Sequence, residues 1–551
     1  MRRTILFNLS PSPITLPYLL ERSRDVDDQI RRGVFNRLIP KLGDFRHLSI
    51  RMREKLLRWG LNDRDELVRR ATRRLFYRHW LKDAGGDLLE VLERLDVTNE
   101  PIEEGPKYAA LRAFWDARHD VLVDFTLDDA FWSNLTPEGA FLARSLNDYG
   151  RSVSPQVAES LGLEERIPEV TRLAYYLAKY MNKLLVTTKS QAEEAADLEF
   201  IVLQLILISM NMDYGDEIGR RKMFSLFRET LAIPELPELV TKLVVDGLKK
   251  LATSEGEYSM IILEAIAEIH DTIVDDDGDG ENDSFHSARS DPGDAESVEG
   301  SVTPRARPSR PAAVQQPKSK KQKLNSHQTG RKRRRGGDDD DDDNGDGDGD
   351  GGDGDGGDVD MMDVDEQEHD DEEAEEEAEA AKAMKELLVN LKCLHISQCM
   401  LENIGGELTS NSHLVTMLNG LVVPAVRSHD APVREAGLRC LGLSCLLDRQ
   451  LTETNLGLFI HVFNRGHEKM QVEALYIISD ILLTHGSAPL LSENCNADHK
   501  QLYRMFEKGL AMDDSEEVQS VAVEMLCKLM LAQVIKDEGV CLPLSRQPLP
   551  H

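Results

Sequence analysis

One local pattern recurs five times and limits this chain to stacked helices. An apolar residue is followed at once by Arg or Gln, with small or β-branched residues three and four positions on and apolar ones at seven or eight. Ile30-Arg31 leads to Gly33, Val34 and Leu38, and Val68-Arg69 to Ala71, Thr72, Leu75 and Phe76. Val433-Arg434 leads to Ala436, Gly437, Cys440 and Leu441. Met470-Gln471 and Val518-Gln519 repeat the series through Ala474/Ile477/Ile478 and Val521/Ala522/Met525/Leu526. These spacings place each set on one helix face, with a small centre that lets a neighbouring helix approach. Acidic residues precede most anchors (Asp27-Asp28, Asp63, Asp65, Asp430, Asp513-Asp514), as helix N-terminal caps do. Adjacent anchors stand 38, 37 and 48 residues apart, with partner helices expected at 14–21, 48–59 and 456–463. A helix pair at roughly 40–47 residues is the period of HEAT and armadillo arrays. Strand signals are scarce. The expected fold is all-α, a HEAT-repeat α-solenoid; an irregular helical bundle is the competing reading.

The stretch 317–379 interrupts the pattern. It opens on two basic clusters, then runs into six aspartates (338–343), a Gly-Asp repeat and a Glu/Ala run. With almost no apolar side chain and strong self-repulsion, ordering it costs entropy that nothing offsets. The expected organisation is a solenoid over 1–274, a long disordered basic/acidic linker over 275–381, a second HEAT segment over 382–533 and an irregular tail over 534–551. Residues 1–5 read as the middle of a further anchor helix, and 534–551 lose the helical period. The expectation is therefore a chain incomplete at both ends.

The net charge of −33 conceals a local reversal: residues 1–82 carry 20 Lys/Arg against 9 Asp/Glu. A local positive field attracts polyanions whatever the total. All seven cysteines follow the acidic tract and none forms a CxxC pair, so they read as reduced core thiols rather than a disulfide frame or zinc site. The apolar stretch 200–212 is too short to span a bilayer and reads as a buried helix, so no membrane partner is expected.

Particular stretches resemble a known family. The run ITLPYLLERSRDVD at 14–27, continuing through LGDFRHLSIRMREKLLRWGLNDRDELVRRA at 42–71, is similar to the G subunit of condensin. So are DEIGRR at 216–221 and the stretches 393–406 and 433–447. The likeness covers most of 1–274 and 387–533. It implies a non-catalytic HEAT subunit that holds an extended segment of a kleisin subunit and works with a pair of SMC ATPases. It also implies sequence-independent contact with double-stranded DNA, mitotic chromosome condensation, and residence in the nucleus and on chromosomes. A nuclear transport receptor or other HEAT scaffold, and a histone-binding chaperone using the aspartate tract, remain alternatives.

The basic front end supplies the candidate DNA contacts. Arg69, Arg70, Arg73, Arg74 and Arg78 crowd one helix; Arg51, Arg53, Lys55 and Arg58 decorate the one before; Arg22, Arg24, Arg31 and Arg32 lie in the preceding repeat. Guanidinium groups suit phosphate oxygens through paired hydrogen bonds, giving salt-sensitive binding with little sequence choice. Stacking is expected to align them in one stripe. The competing reading is a solvated face paired to Asp and Glu, with Arg31 and Arg69 as inter-repeat ladder residues. Lys318, Lys320, Lys321 and Lys323 with Arg331, Lys332, Arg333, Arg334 and Arg335 fit a two-part nuclear import signal, a nucleic-acid tether being the rival. The segment 275–280 copies half of an EF-hand loop, but His286 stands at the twelfth position, so no metal is expected. No phosphate-cradling GxxxxGK[ST], HExxH or GxSxG run is present, and neither an enzyme activity nor a cofactor is expected.

Overall fold

In the computed structural model of the chain, residues 2–99, 105–124, 126–162, 166–187, 191–274, 364–512 and 514–535 are described. The described residues contain helices and turns and no strand. The front repeat pairs Leu16–Leu20 and the 3-10 turn Glu21–Arg24 with α1 (Asp28–Gly33), which runs on through a π turn at Val34–Leu38. The next pairs α2 (Ile50–Leu61) with α3 (Glu66–Arg74), continued by a π turn at Leu75–Trp80 and Leu81–Asp83. Further along come α4 (Glu238–Leu251), α5 (Glu255–Val274) and α6 (Val364–Glu402). The C-terminal pairs are Val423–Val426 with α7 (Ala431–Leu447), α8 (Arg449–Arg465) with α9 (Glu468–His485), and α10 (His499–Leu510) with α11 (Glu516–Leu531). The second helices α7, α9 and α11 stack side by side, which is the solenoid the spacing predicts.

The five Arg/Gln residues after the anchors share one job. Each second helix sends that side chain back to carbonyls in or near the turn it has just left. Arg31 Nη1 donates to the carbonyls of Asp25 and Val26 (2.9 and 3.0 Å), Arg69 Nη1 to Asp63 (2.5 Å) and Arg434 Nη1 to Ser428 (2.9 Å). Gln471 and Gln519 reach the carbonyls of Phe463 and Leu510 (3.1 and 2.9 Å). Carbonyls at a helix end have no partner within the helix, so these bonds satisfy groups that packing removes from water. The N-caps follow in part. Asp27 and Asp65 cap α1 and α3, but Asp430 makes no side-chain cap bond, and Ser515 caps α11 through the Val518 amide. The small central residues are tightly held: a Cβ on Gly437 would lie 2.8 Å from the Val426 backbone nitrogen.

The segments on either side of the linker form one unit, with 1–278 and 377–551 grouped together. Helix α6 meets α5 across the insertion, with Cys393 Sγ facing the Ile266 carbonyl at 3.8 Å. The insertion therefore enters between α5 and α6 within that unit. Lys392 Nζ donates to the Leu236 carbonyl (2.6 Å), and Asn403 Nδ2 to Asp246 Oδ1 on α4 (2.6 Å). Asn411 Nδ2 donates to Ser259 Oγ on α5 (2.8 Å), and on the far side Cys440 Sγ meets the Leu394 carbonyl at 3.4 Å. Helix α6 begins at Val364, inside the stretch expected as linker, where Glu and Ala with their high helix propensity predominate. Residues 275–363 lie outside the described residues, as does the tail at 536–551. Cys393, Cys399, Cys440 and Cys445 are buried as expected, while Cys495 is half-buried and Cys527 exposed.

Gly437→Val forces the Val426 backbone aside and should destabilise the chain by about 1–3 kcal/mol in urea unfolding. Gly420→Ala, at an exposed site with nothing within 4 Å of the new methyl, should be neutral or stabilising by up to about 1 kcal/mol. A protease site placed at residue 300 and cut should leave both pieces eluting together on a sizing column, because the contacts across α4, α5 and α6 need no covalent link. Separate elution would contradict the grouping of the two flanking segments into one unit.

Candidate nucleic-acid interface

Helices α2 and α3 pack on each other through Leu56, Leu57 and Gly60 on one side and Val68, Ala71 and Thr72 on the other. A Cβ on Gly60 would collide with Thr72, so the two backbones are close. The solvent faces of the two helices consequently point in opposite directions. Arg51, Lys55 and Arg58 form an exposed row on α2, and Arg70, Arg74 and Arg78 an exposed row on α3 and its π turn. The single stripe expected from the sequence is divided between two faces.

Two candidates leave the set altogether. Arg31 is 5 % exposed. Its Nε and Nη2 make a paired bond with Asp63 of the next repeat (2.7 and 2.9 Å), so it is a ladder residue. Arg53 is 6 % exposed and donates to the carbonyls of Phe45 and Arg46 (3.0 and 3.3 Å) and to that of Arg94. Burial pushes its pKa down. Both side chains point between helices because their positions fall on the packed face. Four more are partly neutralised. Arg69, Arg70 and Arg73 converge on Glu66 (2.5, 3.1 and 3.3 Å), and Arg58 pairs with Glu54 (2.6 Å). The hydrogen bond from Arg69 is the largest influence holding Glu66 below its usual range. Arg22 pairs with Asp25 (3.3 Å), and the Arg24 guanidinium lies over the Trp59 ring at 5.4 Å. Arg32 is half-buried; Arg51, Lys55, Arg74 and Arg78 are exposed and make no ion pair among the described residues.

The row on the second helix is straighter than an α-helix allows. A four-residue row winds about 40° per step around an α-helix. The i→i+5 bonding of the π turn at Leu75–Trp80 takes back much of that rotation. The row thus continues in line to Lys82, also exposed. Lys82 was missing from the sequence candidates, although it extends the same four-residue spacing. The import-signal residues (318–335), the aspartates at 338–343 and the partial EF-hand loop at 275–280 lie outside the described residues. No cluster of metal-ligating side chains occurs among the described residues, and none of their helices is long and apolar enough to cross a membrane.

Comparison with known proteins agrees with this architecture. Residues 392–545 match the family model described as nuclear condensing complex subunits, C-terminal domain. The chain is 32% identical to condensin complex subunit 3 of Schizosaccharomyces pombe over 99% of its own length and 54% of that protein. It is 29% identical to the Saccharomyces cerevisiae protein of the same name over 98% of its length and 49% of that protein. It superimposes on a chain in the crystal structure of the S. pombe condensin Cnd3-Cnd2 subcomplex with a TM-score of 0.69 at 29% identity, covering 98% of this chain and 57% of that one. The chain thus spans about half the length of these relatives.

Because Arg31 and Asp63 are both buried, removing either partner leaves an uncompensated charge. Arg31→Met or Asp63→Asn should each cost about 3–5 kcal/mol, and the double variant Arg31→Met/Asp63→Leu less than their sum. Burial alone raises the Asp63 pKa, but the bond from Arg31 and the Asp65 amide outweigh it and the carboxyl is held below its ordinary 3.8. A depressed carboxyl contributes stability above its unfolded pKa and loses it as pH falls through the folded one. The advantage of the native chain over Asp63→Asn should therefore be flat at neutral pH and narrow below 3.8, as read by urea unfolding across pH.

Proposed function

From the premise that the chain is a homologue of condensin complex subunit 3, we propose that it serves as a non-catalytic HEAT-repeat subunit of a condensin complex. In this reading it holds an extended kleisin segment, meets an SMC ATPase pair through the complex, and grips the DNA backbone during mitotic chromosome condensation. Its place is the nucleus and the chromosome, and ATP hydrolysis belongs to the SMC partners. The observation that carries the assembly is the superposition over 98% of the chain on a structure that holds Cnd3 together with Cnd2. What supports DNA contact is the exposed row Arg70, Arg74, Arg78 and Lys82. Backbone recognition needs mobile cations in water, not buried ones, and three of these four are unpaired among the described residues.

The kleisin and SMC reading is tested by purifying the tagged chain from dividing cells. Recovery of a kleisin and two SMC chains is expected, and their absence would remove the assembly. The DNA reading is tested with a short duplex at several salt concentrations. Arg70→Glu/Arg74→Glu/Arg78→Glu should weaken binding uniformly across sequences and flatten the log–log salt slope by about 1 per lost phosphate contact. Arg51→Glu/Lys55→Glu, on the opposite face, should leave the slope unchanged. If the second variant lost binding and the first kept it, the wrong face has been chosen.

A further inference from the structure

The end of α2 and the turn Glu21–Arg24 enclose a second feature, away from the α3 row: an open pocket of about 360 Å³. Its floor is the Arg31–Asp63 pair, whose charges are already satisfied by each other. Its walls are the Trp59 ring, with the Arg24 guanidinium 5.4 Å from the ring centre, and the Arg58 side chain. Arg58 is tethered by one nitrogen to Glu54 (2.6 Å), which holds the rest of its guanidinium at the pocket. Asn62 completes the rim. Ser23, 2 % exposed, also lines the pocket, and its hydroxyl has no hydrogen-bond partner. A buried hydroxyl without a partner is costly and asks for one.

We infer that this pocket binds the phosphate of a phosphorylated serine or threonine on a partner peptide. The donors fit that group. Two guanidinium groups and an amide match three acceptor oxygens carrying close to two negative charges. A carboxylate offers two oxygens and one charge. The Trp59 face gives the adjoining peptide residue an apolar wall. A nucleic-acid strand fits less well. The site is a shallow, short patch of mixed charge, with Asp63 in its lining and Glu54 paired to Arg58 at its edge, whereas a continuous polyanion is held by a uniformly positive surface.

The test uses the whole chain and a peptide library with one fixed phosphoserine between randomised positions, beside matched libraries carrying serine or glutamate. Phosphoserine peptides should be retained about tenfold better than either. The retained pool should change tryptophan emission, which reports on Trp59 because Trp80, Trp115 and Trp132 are buried; Trp59→Phe should abolish that change. Arg24→Gln and Arg58→Gln should each weaken peptide binding about tenfold without moving the unfolding midpoint, since both side chains are exposed. Ser23→Ala, which removes a hydroxyl buried behind the pocket, should leave peptide binding within about twofold. Equal retention of the serine or glutamate library would overturn the inference, as would inorganic phosphate competing at the concentration of the peptide itself. So would a DNA duplex producing the same Trp59 response. Loss of peptide binding with duplex binding intact separates this site from the α3 row, so either reading can fail alone.

Discussion

The structure depends on what happens to the carbonyl groups where one helix of a repeat turns into the next. A solenoid has no distant core; each repeat is held by its neighbours alone. Packing the turn against the following repeat hides carbonyls that the helix itself leaves unbonded. This chain answers with a side chain from the start of the second helix: Arg31, Arg69, Arg434, Gln471 or Gln519. A guanidinium does more than an amide here. Arg31 bonds its own turn through Nη1 and still has Nε and Nη2 for Asp63 of the next repeat. One residue thus closes a turn and fixes the register between repeats. Gln471 and Gln519 close a turn only.

The same locality explains how a long insertion is tolerated. Since each helix reads only its neighbours, a chain break in sequence between α5 and α6 changes nothing at their interface. The cost of closing a longer loop rises only slowly with its length. The bonds across this junction are numerous and polar at its rim, with Lys392, Asn403 and Asn411 each reaching back to residues before the insertion. Lys392 is the most demanding: burial lowers its pKa to about 8, and its amine donates to the Leu236 carbonyl and the Thr241 hydroxyl.

The repeat pattern was legible in the sequence because it arises from the period of one helix. Anchors, small centres and the caps Asp27 and Asp65 all lie within a few residues of one another. The insertion was legible as a break in composition, but the way the flanking segments close up as one unit was not, since that depends on side chains such as Lys392 and Asn403 meeting residues far before them in the chain. The basic face was the least legible. Arg31 and Arg32 are neighbours of the same chemical type, yet one is buried against Asp63 and the other is only half-buried. Arg51 and Arg53 divide in the same way, because helix rotation of about 100° per residue decides which side chain meets the neighbouring repeat. Residue type marks a capacity for phosphate; only packing decides whether it is spent internally.

That division bears on how an acidic chain can meet an acidic polymer. Across salt water at physiological strength, a charge is felt over about 8 Å. The field at the α3 row is then set by its own residues and not by the total of −33. The row offers Arg70, Arg74, Arg78 and Lys82 against Glu66, which already draws Arg69, Arg70 and Arg73, and against Asp83 beside Lys82. Three arginines on one carboxylate leave a net positive cluster along the middle and last turn of α3. The π turn then carries the cations onward in line instead of winding them into the packed face. The shape of the row is therefore a property of the helix backbone, and its charge is what remains after the fold has taken its own share of arginines.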